Sequence, residues 1–223
     1  MRIVDLTVAV APGTPSPPIV DFDLVMTTAF MTPGHWQASR VEMLLHTGSH
    51  ADFTLHHDAD GEEAASVALD RVIGDALVVD LTPVEPRHAI TPEDLEARAP
   101  AIHAGDIVLI RTGWTDSMWG SFPAYYTDSP VCSPSAAEWL AAKELKAVGF
   151  DCFAEESAKS PDFSPENFHV HRIIGDSGAI MLQQLTHLGD LPTRHRFRFF
   201  APFMRIEGGE GSPARFFAVL DET

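Results

Sequence analysis

Residues 45–57 read L-H-T-G-S-H-A-D-F-T-L-H-H, and this stretch holds four of the chain's 11 histidines. His46, His50, Asp52 and His56 occupy even-numbered positions, so an extended chain would present their side chains on one face. Two imidazoles and a carboxylate held together are a ligand set for Zn, Mn or Fe. A solvated edge strand is the alternative, but such a face would carry Lys, Glu and Thr. The stretch therefore predicts a metal site at His46, His50 and Asp52, with His56 nearby as an acid or base.

The composition describes a folded, acidic chain. Fifteen Lys and Arg against 32 Asp and Glu give a net charge of −17 over 223 residues, 45% of them apolar. This charge argues against nucleic acid and anionic membranes as partners, because both attract basic surfaces. Asp5 interrupts the start where a signal peptide has its apolar core, and no apolar run approaches the ~18 residues of a membrane span. With two cysteines and no disulfide framework, we expect a cytoplasmic protein with a single domain, residues 1–223.

Local signals predict strands that alternate with helices. Short β-branched or aromatic runs predict strands at residues 2–8, 76–81, 107–111, 147–151, 197–203 and 214–220. The pairs Thr91-Pro92, Ser133-Pro134 and Ser164-Pro165 indicate helix starts, since a capping residue precedes a proline at the first helical position. The second of these helices is expected to run towards residue 146, and a fourth helix is expected at residues 62–71. This order of elements indicates a mixed α/β domain.

Residues 46–56, H-T-G-S-H-A-D-F-T-L-H, resemble the motif H-x-G-T-H-x-D-x-P-x-H of the cyclase-like metal-dependent hydrolases. That family includes bacterial kynurenine formamidases and isatin hydrolases. Ser49 stands where the family usually has threonine, and Thr54 where it has proline. Further stretches resemble the family at residues 4–7 (V-D-L-T), 105–114 (G-D-I-V-L-I-R-T-G-W), 149–151 (G-F-D) and 171–188. The resemblance implies a swivelling β/β/α fold with a mixed sheet, assembled as a homodimer or homotetramer.

The resemblance also implies how many metal ions bind. Many members have a glutamate twelve residues after the distal histidine, which is His171 here, and it holds a second ion together with the residues matching Asp52 and His171. This chain has Gln183 at that position, as do the members that resemble isatin hydrolase. A neutral amide oxygen is a weaker ligand than a carboxylate. We therefore expect one divalent ion, Mn or Zn, held by His46, His50, Asp52 and the Gln183 oxygen.

The activity implied by the resemblance is hydrolysis of an amide or lactam C–N bond in a small, aromatic substrate by metal-bound hydroxide. A divalent ion lowers the pKa of bound water from ~15.7 towards ~7. His56 is expected to carry the proton from water to the leaving nitrogen, and His171 to hydrogen-bond the substrate carbonyl or a water. Aromatic residues in segments that resemble the family's pocket are candidate substrate contacts: Trp36, Phe53, Trp114 and Phe153.

Three alternatives remain open. The first is an arylformamidase that acts on an N-formyl arylamine such as N-formylkynurenine. The second is a non-haem Fe(II) oxygenase, because His50, Asp52 and the distant His171 have the spacing of a facial triad. The third is a metal-binding homologue without activity, which Gln183 and Ala154 keep open, since many members have serine at the latter position.

Overall fold

The computed structural model describes residues 1–160 and 162–220. Its strands are β1 (Arg2–Asp5), β2 (Val25–Met31), β3 (Trp36–Glu42), β4 (His50–Asp52), β5 (Ile73–Asp80), β6 (Ala89–Ile90), β7 (Ile107–Arg111), β8 (Val131–Cys132), β9 (Ala147–Phe150), β10 (Ile180–Gln183), β11 (Phe197–Phe200), β12 (Gly211–Pro213) and β13 (Phe217–Leu220). Its α-helices are α1 (Pro92–Arg98), α2 (Trp114–Met118), α3 (Ala124–Thr127), α4 (Pro134–Ala141) and α5 (His169–Asp176). Among the described residues, no helix is long and apolar enough to cross a membrane.

A mixed nine-stranded sheet organises the fold, in the order β1-β13-β11-β5-β7-β9-β10-β4-β12. The central strands β5, β7, β9 and β10 are parallel, and the strands on either side pair antiparallel. Every residue of β9 and β10 is buried, as is all of β7 except its last residue. Strands buried on both faces are near-continuous apolar runs, which is how 107–111 and 147–150 read in the sequence. The predicted mixed α/β fold is confirmed.

Each face of the sheet is covered by its own apolar cluster. On one face, Leu95 of α1, Leu140 of α4 and Ile174 of α5 pack with the strand residues Val148 and Ile110. The cluster on the other face is formed mainly by residues of strands and loops rather than helices, including Leu6, Phe53, Phe199 and Phe216. The three helices therefore shield one side of the sheet, and α5 projects His171 towards β4 and β10.

Thr91 and Ser133 form the capping hydrogen bonds expected at two of the predicted helix starts. The Thr91 hydroxyl accepts from the Asp94 amide at 3.3 Å, and the Asp94 carboxylate accepts from the Thr91 amide at 2.9 Å, which closes a capping box on α1. The Ser133 hydroxyl caps α4 by accepting from the Ala136 amide at 3.1 Å. This helix ends at Ala141, short of residue 146. The Ser164-Pro165 signal begins a 3-10 turn, and α5 follows from His169.

The helix predicted at 62–71 is wrong. Only Leu69–Arg71 is helical, as one 3-10 turn. The backbone groups of this segment find partners outside it, because the Leu55 amide donates to the Glu62 carbonyl and the Ala64 amide donates to the Gly209 carbonyl. The segment makes only isolated turns of its own and is held against a distant loop through the Ala64 amide.

Two further differences concern strands. The sequence signals do not predict the β2–β3 hairpin, an isolated two-stranded sheet whose residues are almost all exposed. Predicted strands 2–8, 197–203 and 214–220 are shorter in the structure, at Arg2–Asp5, Phe197–Phe200 and Phe217–Leu220. Element ends depend on tertiary contacts more than element cores do.

Candidate metal centre

Strand β4 places the first two candidate ligands. It lies between β10 and β12, with His50 paired to Gln183 on one side and to Pro213 on the other. Side chains two apart on a strand share a face, so His50 and Asp52 point the same way. His50 Nε2 lies 3.2 Å from Asp52 Oδ1. The strand pairing therefore brings Gln183 of a distant segment beside the two residues.

His46 reaches the centre through a turn and not through an extended chain, which corrects the prediction of one continuous strand face. Gly48 within the turn has φ +71°, and a Cβ built on it would lie 2.4 Å from the Val10 side chain. His50 Nδ1 donates to the Gly48 carbonyl at 2.6 Å, which leaves Nε2 free to bind an ion. The Ser49 hydroxyl accepts from the Val8 amide and donates to the Gln184 carbonyl, so serine supplies the hydroxyl that the family's threonine would.

The donor atoms form a set suited to a divalent transition ion. One ligand atom from each of His46, His50 and Asp52 lies within 4.8 Å of the others. Asp52 Oδ2 and Gln183 Oε1 are buried without a hydrogen-bond partner. Leaving a buried polar atom unsatisfied costs about 1–3 kcal/mol, and a bound cation would satisfy both oxygens. The residues present therefore fit one ion with mixed nitrogen and oxygen ligands.

His171 enters from α5 on the opposite side of the carboxylate. Its Nε2 lies 3.5 Å from Asp52 Oδ2 and 3.2 Å from Gln183 Nε2. Phe168 stacks on the imidazole with centroids 4.0 Å apart and planes 14° from parallel. His171 thus belongs to the same cluster as the three candidate ligands.

His56 lies on a 3-10 turn, Thr54–His56, directly after β4. Its ring stacks on His46 at 4.1 Å and lies edge-on to His171 at 5.7 Å. Burial and the neighbouring positive charge of His46 lower the pKa of His56 to about 3. The ring is therefore unprotonated at neutral pH.

The pKa of His46 is shifted in the opposite direction from that of His56. Burial disfavours its charged form, but hydrogen bonds to Asp52 at 2.7 Å and Glu210 at 3.3 Å outweigh burial and raise its pKa to about 9. The two carboxylates thus make the position beside His46 favourable for positive charge, as a metal ion requires.

Two carboxylates in this arrangement have no counterpart in the sequence predictions. Glu210 contacts His46 Nε2, and Glu155 accepts from His171 Nδ1 at 3.2 Å. The G-G-E-G run at 208–211 is a signal that could have drawn attention to Glu210. A Cβ built on Gly211 would lie 2.5 Å from the His46 ring, so this position has no room for a side chain.

A pocket opens onto His46, His50, His56, His171 and Gln183. Its other lining side chains are apolar: Pro17, Ile19, Val20, Leu44, Phe153, Ala158 and Phe168.

Of the four aromatic residues predicted to bind substrate, the structure brings only Phe153 to this pocket. Trp36 is half exposed on the β2–β3 hairpin. Phe53 is buried against Phe203, and Trp114 is buried with its indole N–H donated to the Tyr125 carbonyl. Trp36 therefore lies in the hairpin and Phe53 and Trp114 lie in the core, so none of the three lines the pocket.

The chain is similar to several known proteins. The family model described as "Putative cyclase" matches residues 4–157. A kynurenine formamidase of Erythrobacter litoralis is 30% identical over 99% of this chain and 94% of its own length. An isatin hydrolase of Roseibium aggregatum is 27% identical over 78% of this chain and 72% of its own length. The crystal structure of an isatin hydrolase bound to the product analogue thioisatinate has the same fold, with a TM-score of 0.85 and 22% identity over 99% of this chain and 93% of that one.

Proposed function

The chain belongs to the cyclase family and is a metal-dependent amide hydrolase, and we propose that it opens a lactam or cleaves an amide C–N bond in a small, uncharged aromatic substrate. The observation that carries this proposal is the buried cluster of His46, His50 and Asp52 beside an apolar pocket. A cluster of this kind at the bottom of such a pocket is the usual place for metal-assisted hydrolysis.

One divalent ion, Mn or Zn, would be held by His46, His50, Asp52 and the Gln183 oxygen. Such an ion supplies a Lewis acid that polarises a carbonyl and makes a water molecule acidic. The unsatisfied buried oxygens of Asp52 and Gln183 support this ligand set. Gln183 carries no charge, so unlike a glutamate at this position it would not offset the charge of a second dication. One ion is therefore favoured over two.

His56 is the proposed proton carrier. Its ring lines the pocket beside His46 and His171. An imidazole in this position would take a proton from the activated water and pass it to the leaving nitrogen. His171 Nε2 lies where it can hydrogen-bond the substrate or the water.

The pocket favours an isatin-like lactam as substrate. Among the described residues that line it, none has a lysine, arginine or carboxylate side chain. N-formylkynurenine carries an ammonium and a carboxylate that would need such partners, whereas a flat neutral ring would pack against Phe153 and Phe168. The alternative is an arylformamidase, which the identity to the kynurenine formamidase of Erythrobacter litoralis favours.

The test is a hydrolysis screen of Mn-loaded and Zn-loaded protein over isatin, formanilide and N-formylkynurenine. We expect kcat/KM for isatin to be the highest, and His50→Ala to remove activity while the surface variant His88→Ala retains it. A preference for N-formylkynurenine would support the arylformamidase alternative. Metal-loaded protein that hydrolyses none of these compounds would support the non-catalytic homologue, and oxygen uptake by iron-loaded protein would support the oxygenase.

Cytoplasmic location and a homodimer or homotetramer are further parts of the proposal. Light scattering after gel filtration measures the oligomer, and fractionation of source cells measures the location. A monomer, or protein recovered outside the cytoplasmic fraction, would contradict them.

A further inference from the structure

Glu155 is a buried carboxylate outside the candidate ligand set, and we propose that it is a positioning residue that holds the His171 ring with its proton on Nδ1. The inference rests on the proposed function only where it concerns catalysis. Neither the metal-ligand pattern at 46–52 nor the pocket requires an acid at position 155.

Among the described residues, the Glu155 carboxylate accepts four hydrogen bonds. Oε2 accepts from the Val170 amide at 2.9 Å, from the His171 amide at 3.3 Å and from His171 Nδ1 at 3.2 Å. Oε1 accepts from the Ser157 hydroxyl at 2.9 Å. Burial would raise the pKa of Glu155, but the hydrogen bonds from His171 and Ser157 outweigh burial and lower it. Because two backbone amides and a hydroxyl already donate to it, the carboxylate acts as an acceptor, and Nδ1 must carry a proton to meet Oε2.

The proton on Nδ1 determines what Nε2 does. Nε2 is the nitrogen that faces Asp52 Oδ2 and the Gln183 amide, where an ion, water or substrate would lie. Phe168 stacks on the ring and limits its rotation, so the carboxylate and the phenyl ring together determine the imidazole's position. A carboxylate on the outer nitrogen also makes the inner nitrogen more basic.

Glu155 also stabilises the start of α5, and the experiment must separate this effect from the positioning of His171. Its bond to the Val170 amide satisfies a donor in the first turn of α5, so its loss also weakens the helix start. Glu155→Gln keeps an oxygen for the Val170 and His171 donors and lets the new amide group face Ser157, whose hydroxyl can turn to accept. Glu155→Leu removes the acceptor altogether. Ser157→Ala is the control, since it loses only the contact to Oε1.

The decisive measurement is the protonated nitrogen of His171, read from ¹⁵N shifts of histidine-labelled, zinc-loaded protein and assigned by the peak lost in His171→Gln. We expect Nδ1 to carry the proton in the wild type, in Glu155→Gln and in Ser157→Ala, and to lose this preference in Glu155→Leu. Wild-type protein without a proton on Nδ1 overturns the proposal, whether or not the leucine variant folds. A proton that stays on Nδ1 in Glu155→Leu also overturns the proposal.

Steady-state kinetics provide a second test of the role of Glu155. We expect kcat of Glu155→Leu to fall about 10- to 100-fold, with KM and zinc content close to wild type, and Glu155→Gln to stay close to wild-type kcat. An unchanged kcat in the leucine variant would contradict the positioning role. If wild-type protein hydrolyses no substrate, the proposed function fails, while the ¹⁵N measurement still decides whether Glu155 positions His171.

Discussion

The turn at Gly48 provides a prediction whose size can be worked out from the structure. We expect Gly48→Ala to destabilise the fold and to reduce metal binding. Two free-energy costs of the substitution add at this position. An L-residue in the left-handed region costs about 1–2 kcal/mol, and the new Cβ would lie 2.4 Å from the Val10 side chain. Overpacking of that kind costs about 1–3 kcal/mol.

The matched control is Gly105→Ala. Gly105 has φ +82°, and a Cβ built on it would meet nothing within 4 Å, so only the backbone cost applies. Restricting the unfolded chain offsets about 0.4–1 kcal/mol in both variants. The expected net losses are therefore about 1 kcal/mol for Gly105→Ala and about 2–4 kcal/mol for Gly48→Ala. Because His50 Nδ1 donates to the Gly48 carbonyl, only the latter should also shift the ligands.

The assay is urea unfolding of both variants without metal, followed by elemental analysis after loading with manganese or zinc. Equal unfolding free energies would show that the Val10 contact does not constrain the turn. A Gly48→Ala protein that is destabilised but keeps full metal content would refute the idea that this turn geometry places His46 and His50.

Three other predictions follow from separate contacts. Removing His50 by alanine substitution should abolish metal content in elemental analysis, and retention of one ion per chain would contradict the ligand assignment. Gln183→Glu should raise the metal content towards two ions per chain, because it adds a carboxylate beside His171, and an unchanged stoichiometry would refute the charge argument. For Asp106, burial would raise the pKa, but hydrogen bonds from Arg196 outweigh burial and lower it. The stability from this pair is present above the unfolded-state pKa near 3.8 and is lost as pH falls through the lowered folded value. The free energy of unfolding of Asp106→Asn should therefore fall less steeply with decreasing pH than that of the wild type. Identical pH profiles for the two proteins would refute this prediction.

Much of the fold could be predicted where a signal is local. The helix start at Thr91-Pro92 and the strand at residues 107–111 are confirmed, since each depends on neighbouring residues. The helix predicted at 62–71 is wrong, because its backbone groups bond to the carbonyl of Gly209 and the amide of Leu55 instead. The β2–β3 hairpin carries no local signal that the predictions used.

For the candidate site, the residues close together in sequence were the predictable ones. The spacing of His46, His50 and Asp52 indicated a cluster, and the structure brings their ligand atoms within 4.8 Å. The roles of these residues, like the single-domain organisation, stay predictions. The aromatic contacts were harder to predict, because any aromatic side chain is equally suited to a core, which is where Trp114 lies.

The sequence by itself determined the family and the reaction class, because these depend on a motif whose residues lie within a few positions of one another. It also predicted His46, His50 and Asp52 as ligands from the same motif. Only the tertiary structure decided which groups surround the cluster. Glu210 lies 164 residues from His46 along the chain, and Glu155 meets His171 across a loop and a helix start. Such contacts result from how the sheet brings distant strands together, and no spacing along the chain encodes them.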